Sequence, residues 1–405
     1  MHRGMLECFL VSLKLGLTSF GGPLAHLGYF REAYVERGKW LSEERYAELL
    51  AVTQFLPGPA SSQLGAAIGY ERAGWLGGFA AWLGFTLPSA LVMMAFAVGM
   101  GSIQEWCGTG WLHGLKLAAI AVVAVALLGM RKGLCPRWPE MILAVLALVV
   151  LMLAPVAWVQ PMVILVGGMI GVFVFHREEA AREDALKAEH PAVGGSRGGG
   201  GGSAGLPMGG LIVACLLVMA MLALPFVFPG QRDAQATGGL LRAGALVFGG
   251  GHVVLPLLEA STVDTGLMAK DTFLGGYGAA QAVPGPLFTF GAFLGASMEL
   301  FGNAWLGGAL GTMAIFLPGM VLLAGALPVW NRLKHFSWAR AGVRGANATV
   351  VGLLAAALLG MLAGGSVGGL FDGAAILLLA LAIYFKWLPV WAIVLIAAVG
   401  GGLIV

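Results

Sequence analysis

Residues 46–70 read YAELLAVTQFLPGPASSQLGAAIGY, and the turn at Pro57-Gly58-Pro59 decides how the chain is built. The turn divides an apolar stretch into two limbs of about 11 residues, or about 16 Å each, roughly half the hydrocarbon thickness of a bilayer. Arg45 and Arg72 flank the stretch. Lysine and arginine collect on the cytoplasmic side of a membrane, so a segment basic at both ends is predicted to enter and return from that side. A broken full-length span is the alternative. A second segment, 272–300, turns at Pro284-Gly285-Pro286 between flanks poor in Lys and Arg, and is predicted to enter from outside.

The composition agrees with a membrane setting. Of 405 residues, 59% are hydrophobic and 11% charged, and the mean hydropathy is +0.88. Soluble chains carry about 25% charged residues, so a soluble enzyme, a disordered protein and a nucleic-acid binder are all disfavoured. The net charge of +3 provides no basic surface for nucleic acid. Cys8, Cys107, Cys135 and Cys215 are scattered and read as free thiols, with no disulfide framework or metal site. The start, MHRGMLECFLVSLKLGLTSF, imitates a signal peptide but lacks a small-x-small cleavage site; it reads as part of the mature protein.

Apolar stretches long enough to span, or nearly so, are predicted at 74–100, 112–130, 138–154, 158–176, 208–229, 304–330, 345–363, 373–385 and 389–405. Basic residues gather near 31–45, in the 131–137 loop, in the polar and Gly-rich stretch 177–205 and at 331–344, placing these inside. The loops 101–110, 155–157 and 364–372 have none and are placed outside. The predicted class is an all-α, polytopic integral membrane protein of two homologous halves. The first repeat covers 1–176, a cytoplasmic linker 177–205, and an extra span with the second repeat 206–405.

The halves repeat in register. Ser19-Phe20-Gly21-Gly22-Pro23 is echoed by Val247-Phe248-Gly249-Gly250-Gly251, and Gln54-Phe55-Leu56-Pro57-Gly58-Pro59 by Gln281-Ala282-Val283-Pro284-Gly285-Pro286. Trp75-Leu76-Gly77-Gly78 returns as Trp305-Leu306-Gly307-Gly308, Leu87-Pro88 as Leu317-Pro318, and Ala126-Leu127-Leu128-Gly129 as Ala357-Leu358-Leu359-Gly360. The extra span at 208–229 delivers the second half from the opposite face, which makes an inverted-topology pair with its substrate site at the repeat interface.

Non-helical backbone at membrane depth survives only where protein or a water-filled cavity covers it. Helix starts after Pro59 and Pro286 would leave free N–H groups at Ala60, Ser61, Ser62, Leu287, Phe288 and Thr289, and a helix start attracts anions. Hydroxyls of Ser19, Ser61, Ser62 and Thr289 and the amides of Gln54 and Gln281 would add donors, a set suited to a small tetrahedral oxyanion. The plainer reading of Gly and Pro is close helix crossing; duplication of the whole set favours the cage.

At these residues the sequence resembles the chromate transporter family. SFGGPLAHLGYF at 19–30 and WLSEERYAELLAVTQFLPGP at 40–59 are similar to its N-terminal signature, and FGGGHVVLPLLE at 248–259 with QAVPGP at 281–286 to its C-terminal one. The resemblance implies the two-domain long form, a bacterial inner-membrane location, and export of chromate driven by the proton-motive force and inhibited by sulfate. Some relatives of this type would handle sulfate or another oxyanion instead. Gly251 stands where Pro23 does and is followed by His252, so the two tips are not chemically equivalent.

Lys14 and Lys116 lie nearest membrane depth, and intramembrane charge is functional by default. Lys116 also has the option of snorkelling to the surface. Its repeat counterpart is Asn347. His26 and His252, beside the glycine turns, are candidates for proton coupling, with a structural histidine as the plainer reading. Glu71 and Arg72 read as an interfacial turn, and Trp75, Trp111 and Trp305 as interfacial anchors. No redox-cofactor motif, HExxH or coherent acid pair is present, so neither an enzyme nor a cofactor is expected. The partners expected are chromate or sulfate and the lipid bilayer, with a homodimer left open. A passive anion channel is the competing transport reading.

Overall fold

The computed structural model describes residues 2–20, 22–154, 159–189, 207–247, 254–330, 336–363 and 367–404. Those residues are helical, with no strand among them, and six helices are long and apolar enough to cross a membrane. The first half runs α1 (His2–Thr18), α2 (Gly22–Phe30) with a π-helical turn at Arg31–Arg37, α3 (Glu43–Phe55), α4 (Ala60–Cys107), α5 (Gly110–Leu134), α6 (Trp138–Leu153) and α7 (Val159–Glu189). Then α8 (Pro207–Val227) is followed by the second half: α9 (Arg232–Leu246), α10 (Val254–Thr262), α11 (Lys270–Ala282), α12 (Phe290–Ser297), α13 (Ala304–Ala326), α14 (Ser337–Ala363), α15 (Leu370–Tyr384) and α16 (Val390–Ile404).

Helix α4 is two helices. Ala73 and Gly74 leave helical geometry, and Gly69 packs against Gly77 with no room for a side chain on either, so limb 60–72 folds back along limb 75–107. In the second half α12 folds back on α13 in the same way, through Gly291, Gly295, Gly307 and Gly311. Small residues let helix backbones approach closely where burial of apolar surface in lipid supplies no drive.

The alternatives left open for 46–70 are decided by one ion pair. Arg45, in the first turn of α3, meets Glu71, at the end of limb 60–72, at 2.5 Å. The segment therefore returns to the level at which it entered. Arg72 closes the same end by pairing with Glu7 at 3.0 Å, and its guanidinium lies over the Trp40 ring. In the second half Gly276 of α11 abuts Phe293 of α12, and Phe273 stacks edge-on against Phe290, so 270–297 is also a hairpin.

The hairpins enter from opposite ends. Limb 75–107 carries the chain from the Glu71–Arg72 end to the start of α5. There Lys116 pairs with Asp271 in the first turn of α11, at 3.0 Å. The mouth of the second hairpin thus lies at the N-terminal end of α5, and that of the first at the far end. The halves are inverted, as the repeat and the extra span α8 implied. The largest buried cluster draws on both, through Phe30, Phe85 and Met93 of one and Phe288, Phe290 and Phe316 of the other.

Three expectations change. The segment 177–205 is not linker throughout: α7 continues as helix to Glu189, and its Glu178 and Glu179 pair with Arg344; residues 190–206 lie outside the described residues. Trp111 is buried, its indole N–H donating to the Gly108 carbonyl, while Trp75 and Trp305 are exposed as anchors should be. Lys14 is exposed. Cys8 and Cys135 are buried free thiols and Cys215 an exposed one.

Candidate functional site

The Pro-Gly-Pro turn of each half meets the backbone of the other half. The Gly58 N–H donates to the carbonyl of Val247 at 2.7 Å, and the Gly285 N–H donates to the carbonyl of Ser19 at 2.9 Å. Ser19 and Val247 occupy equivalent positions in the two halves, so the bonds are reciprocal. Gly58 has φ +123° and Gly285 φ +97°, conformations that residues with a side chain avoid. Both turns are also crowded. A β-carbon on Gly58 would stand 2.9 Å from the Cα of Gly319, and one on Gly285 would stand 2.9 Å from the Ser89 hydroxyl oxygen. Gly319 and Ser89 each follow the proline of a repeated Leu-Pro pair, so these contacts are reciprocal as well.

The donors expected around the turns fare unequally. Ser61 and Ser62 are buried at the start of limb 60–72, and the Ser62 hydroxyl has no partner among the described residues. The N–H groups of Ala60, Ser61 and Ser62 have none beyond their own helix. Ser19 Oγ and Gln281 Nε2 are likewise buried and unpartnered there. Buried polar groups are nearly always bonded, so these donors are open to a polar ligand. Pro59 precedes Ala60 as the helix cap, and Pro57 and Pro284 complete the turns.

Thr289 is not a free donor: both its N–H and its hydroxyl bond the Pro286 carbonyl, because 287–289 tighten into a 3₁₀ turn before α12 begins. Gln54 is exposed. Its place is taken by Gln63, which the sequence reading passed over. Gln63 Nε2 donates to the carbonyls of Pro57 at 3.0 Å and Gly319 at 2.8 Å, fastening the first turn to the other half. Its signal was position: it is one helical turn past the proline.

Of the FGG motifs, Phe20 packs against Trp391 and Gly22 takes φ +77°. Gly21, Phe248, Gly249, Gly250, Gly251 and His252 lie outside the described residues, as does the side chain of Pro23. His26 is fully buried edge-on to Phe85, and neither ring nitrogen has a partner among the described residues.

Two polar cavities lie at opposite ends of α5. One, of about 330 Å³, is lined by Arg137, Glu140, Arg340, Arg344 and Asn347 and reaches Phe55, two residues before Pro57. The other, of about 670 Å³, is lined by Gln104, His113, Lys116, Asp271 and Asp372. Lys116 and Asn347 thus line equivalent cavities facing opposite ways. Lys116 is buried and bound to Asp271 instead of snorkelling. The residues at 113 and 344, in the same cavities, were missed; aligning the halves through Lys116 and Asn347 puts them in register. No cluster among the described residues could hold a metal ion.

The profile described as Chromate transporter matches residues 6–172 and again 235–402. The chain belongs to the chromate transporter family. Its two matched stretches are the two halves of the fold, and the family is one of transporters, not enzymes. The chain is 30% identical to a chromate transport protein of Pseudomonas aeruginosa, over 98% of this chain and 92% of that one. It is 26% identical to a probable chromate transport protein of Synechococcus elongatus, over 96% and 93% of the two chains. The chromate transport protein of Cupriavidus metallidurans is 27% identical over 86% and 80%. No solved structure gives a significant match.

Proposed function

We propose that this protein is a secondary transporter that exports chromate across the bacterial inner membrane, and that its anion passes between the paired turns. The reciprocal bonds Gly58 to Val247 and Gly285 to Ser19 carry this reading. They tie the Pro-Gly-Pro turn of each half to the other half, and Ser19 Oγ, Ser62 Oγ, Gln281 Nε2 and the N–H groups of Ala60, Ser61 and Ser62 have no partner beyond their own helix among the described residues. A helix start carries about half a positive charge, so a dianion is held there without a lysine to trap it. The basic cavity with Arg137, Arg340 and Arg344 is the cytoplasmic vestibule, by the charge bias of the loops, and the cavity with Lys116 and Asp271 is the external one. An inside-negative potential drives a dianion outward by about 4.6 kcal/mol per 100 mV, at about 2.3 kcal/mol per charge, which accounts for dependence on the proton-motive force. Sulfate, of the same shape and charge, competes for the same donors.

Proteoliposomes loaded with radiolabelled chromate test this. Efflux should follow an imposed potential, slow with sulfate present, and vanish when an uncoupler collapses the gradient. Retention of chromate under every gradient would overturn the export reading. Efflux indifferent to the gradient's effect on coupled protons and unsaturable with chromate would indicate a channel.

A further inference from the structure

His113-Gly114-Leu115-Lys116 occupies the repeat position of Arg344-Gly345-Ala346-Asn347. Each first residue reaches across to the third residue of a helix in the other half. His113 Nε2 lies 2.9 Å from Asp372 Oδ1, third in α15. Arg344 Nε donates to Glu140 Oε1 at 2.8 Å, and Glu140 is third in α6. The same base–acid pair between halves therefore stands at both ends of α5, His113 in its first turn and the Arg344 cavity at Gly133 and Leu134, about 30 Å along the helix.

The two pairs differ in chemistry. A guanidinium keeps its charge at any physiological pH, whereas imidazole is the side chain that changes charge between about pH 5 and 8. We infer that His113 and Asp372 form a proton-binding site that latches the outer vestibule. With the imidazole protonated, the pair is ionic and ties α5 of the first half to α15 of the second. With it neutral, only a weaker bond remains and the vestibule opens. A charge-assisted hydrogen bond is roughly twice as strong as a neutral one. Asp372 is held in place for this role, since its other oxygen accepts the Gly368 N–H at 2.6 Å.

The groups facing His113 are Asp372 from α15, Asp271 from α11 and Lys116 from its own helix, with Gln104, Thr109 and Thr272 as neutral neighbours. Among these side-chain types, imidazole is the one whose ordinary charge change falls between about pH 5 and 8. At the other end Arg344 is shared among Glu140, Glu178 and Glu179, and that latch is indifferent to pH over the same range.

The role of the latch in anion release rests on the export reading, but opening is measurable without transport. Leu112 lines the outer cavity and is buried. In full-length protein with Cys8, Cys107, Cys135 and Cys215 changed to Ser, Leu112→Cys in nanodiscs is labelled with a charged methanethiosulfonate reagent at both ends of that pH range. Dividing the rate in His113→Gln by the rate with His113 intact cancels the thiol's own ionisation. This ratio should rise about fivefold or more on acidification. Asp372→Asn should reproduce His113→Gln, and His113→Arg should label slowly at every pH. A ratio flat with pH in both the His113→Gln and Asp372→Asn backgrounds would overturn the latch. Absence of chromate flux, with the labelling ratio still rising on acidification, would overturn the export reading alone.

Discussion

Gly58 and Gly319, 261 positions apart in the chain, meet backbone to backbone: a β-carbon on either would come within 3.1 Å of the other's Cα. The first turn is thereby wedged against α13 just after Pro318, and the second turn sits in the same way against Ser89 of α4. Bond and contact together lock each half's turn to the other half.

Gly58→Val and Gly285→Val should abolish transport while leaving the protein in the membrane fraction. Each puts a branched side chain where the backbone has positive φ, at a cost of about 1–3 kcal/mol, and fills the space between the turns. Spans remote from the turns are untouched, so insertion continues. Flux and membrane abundance measured on the same preparations check this; wild-type flux in both would refute the passage.

Gln63→Leu should lower stability more than a surface change does. The carbonyls of Pro57 and Gly319 lose this donor, at about 1–3 kcal/mol for the pair of lost bonds. Thermal melting in detergent measures the loss, and transport should fall with it, because this side chain joins the first turn to α13.

Cysteines placed at 38 and 72 should label from the same face of the membrane. The Arg45–Glu71 and Arg72–Glu7 pairs hold both ends of the first hairpin together. Labelling from opposite faces would show that the segment crosses fully.

Arg344→Gln should destabilise by about 3–5 kcal/mol, the usual effect of removing one partner from a buried ion pair. Glu140 is fully buried and its second oxygen has no partner among the described residues, so without Arg344 neither carboxylate oxygen keeps a hydrogen bond there. Adding Glu140→Gln to that variant should recover much of the melting temperature, since the stranded charge is gone. Failure of the second change to help would mean that Arg344 acts through Glu178, Glu179 or the Phe175 ring beneath it.

The sequence by itself determined what is local or periodic. Hydropathy located the spans, because a bilayer selects for length and apolarity in any helix that crosses it. The FGG of the first half and the repeated PGP located breaks in the helices, because proline and glycine act on their own backbone. Charge at Arg45 and Arg72 foretold a returning hairpin, and the duplication with one extra span foretold inversion. Only the tertiary structure decided which groups meet. Gln63 in place of Gln54, Val247 as the acceptor for Gly58, and the crossed pairs His113–Asp372 and Arg344–Glu140 all depend on how one helix faces another. Most of these contacts join residues more than 180 positions apart. No local pattern encodes them, since they arise from packing two halves about a common axis.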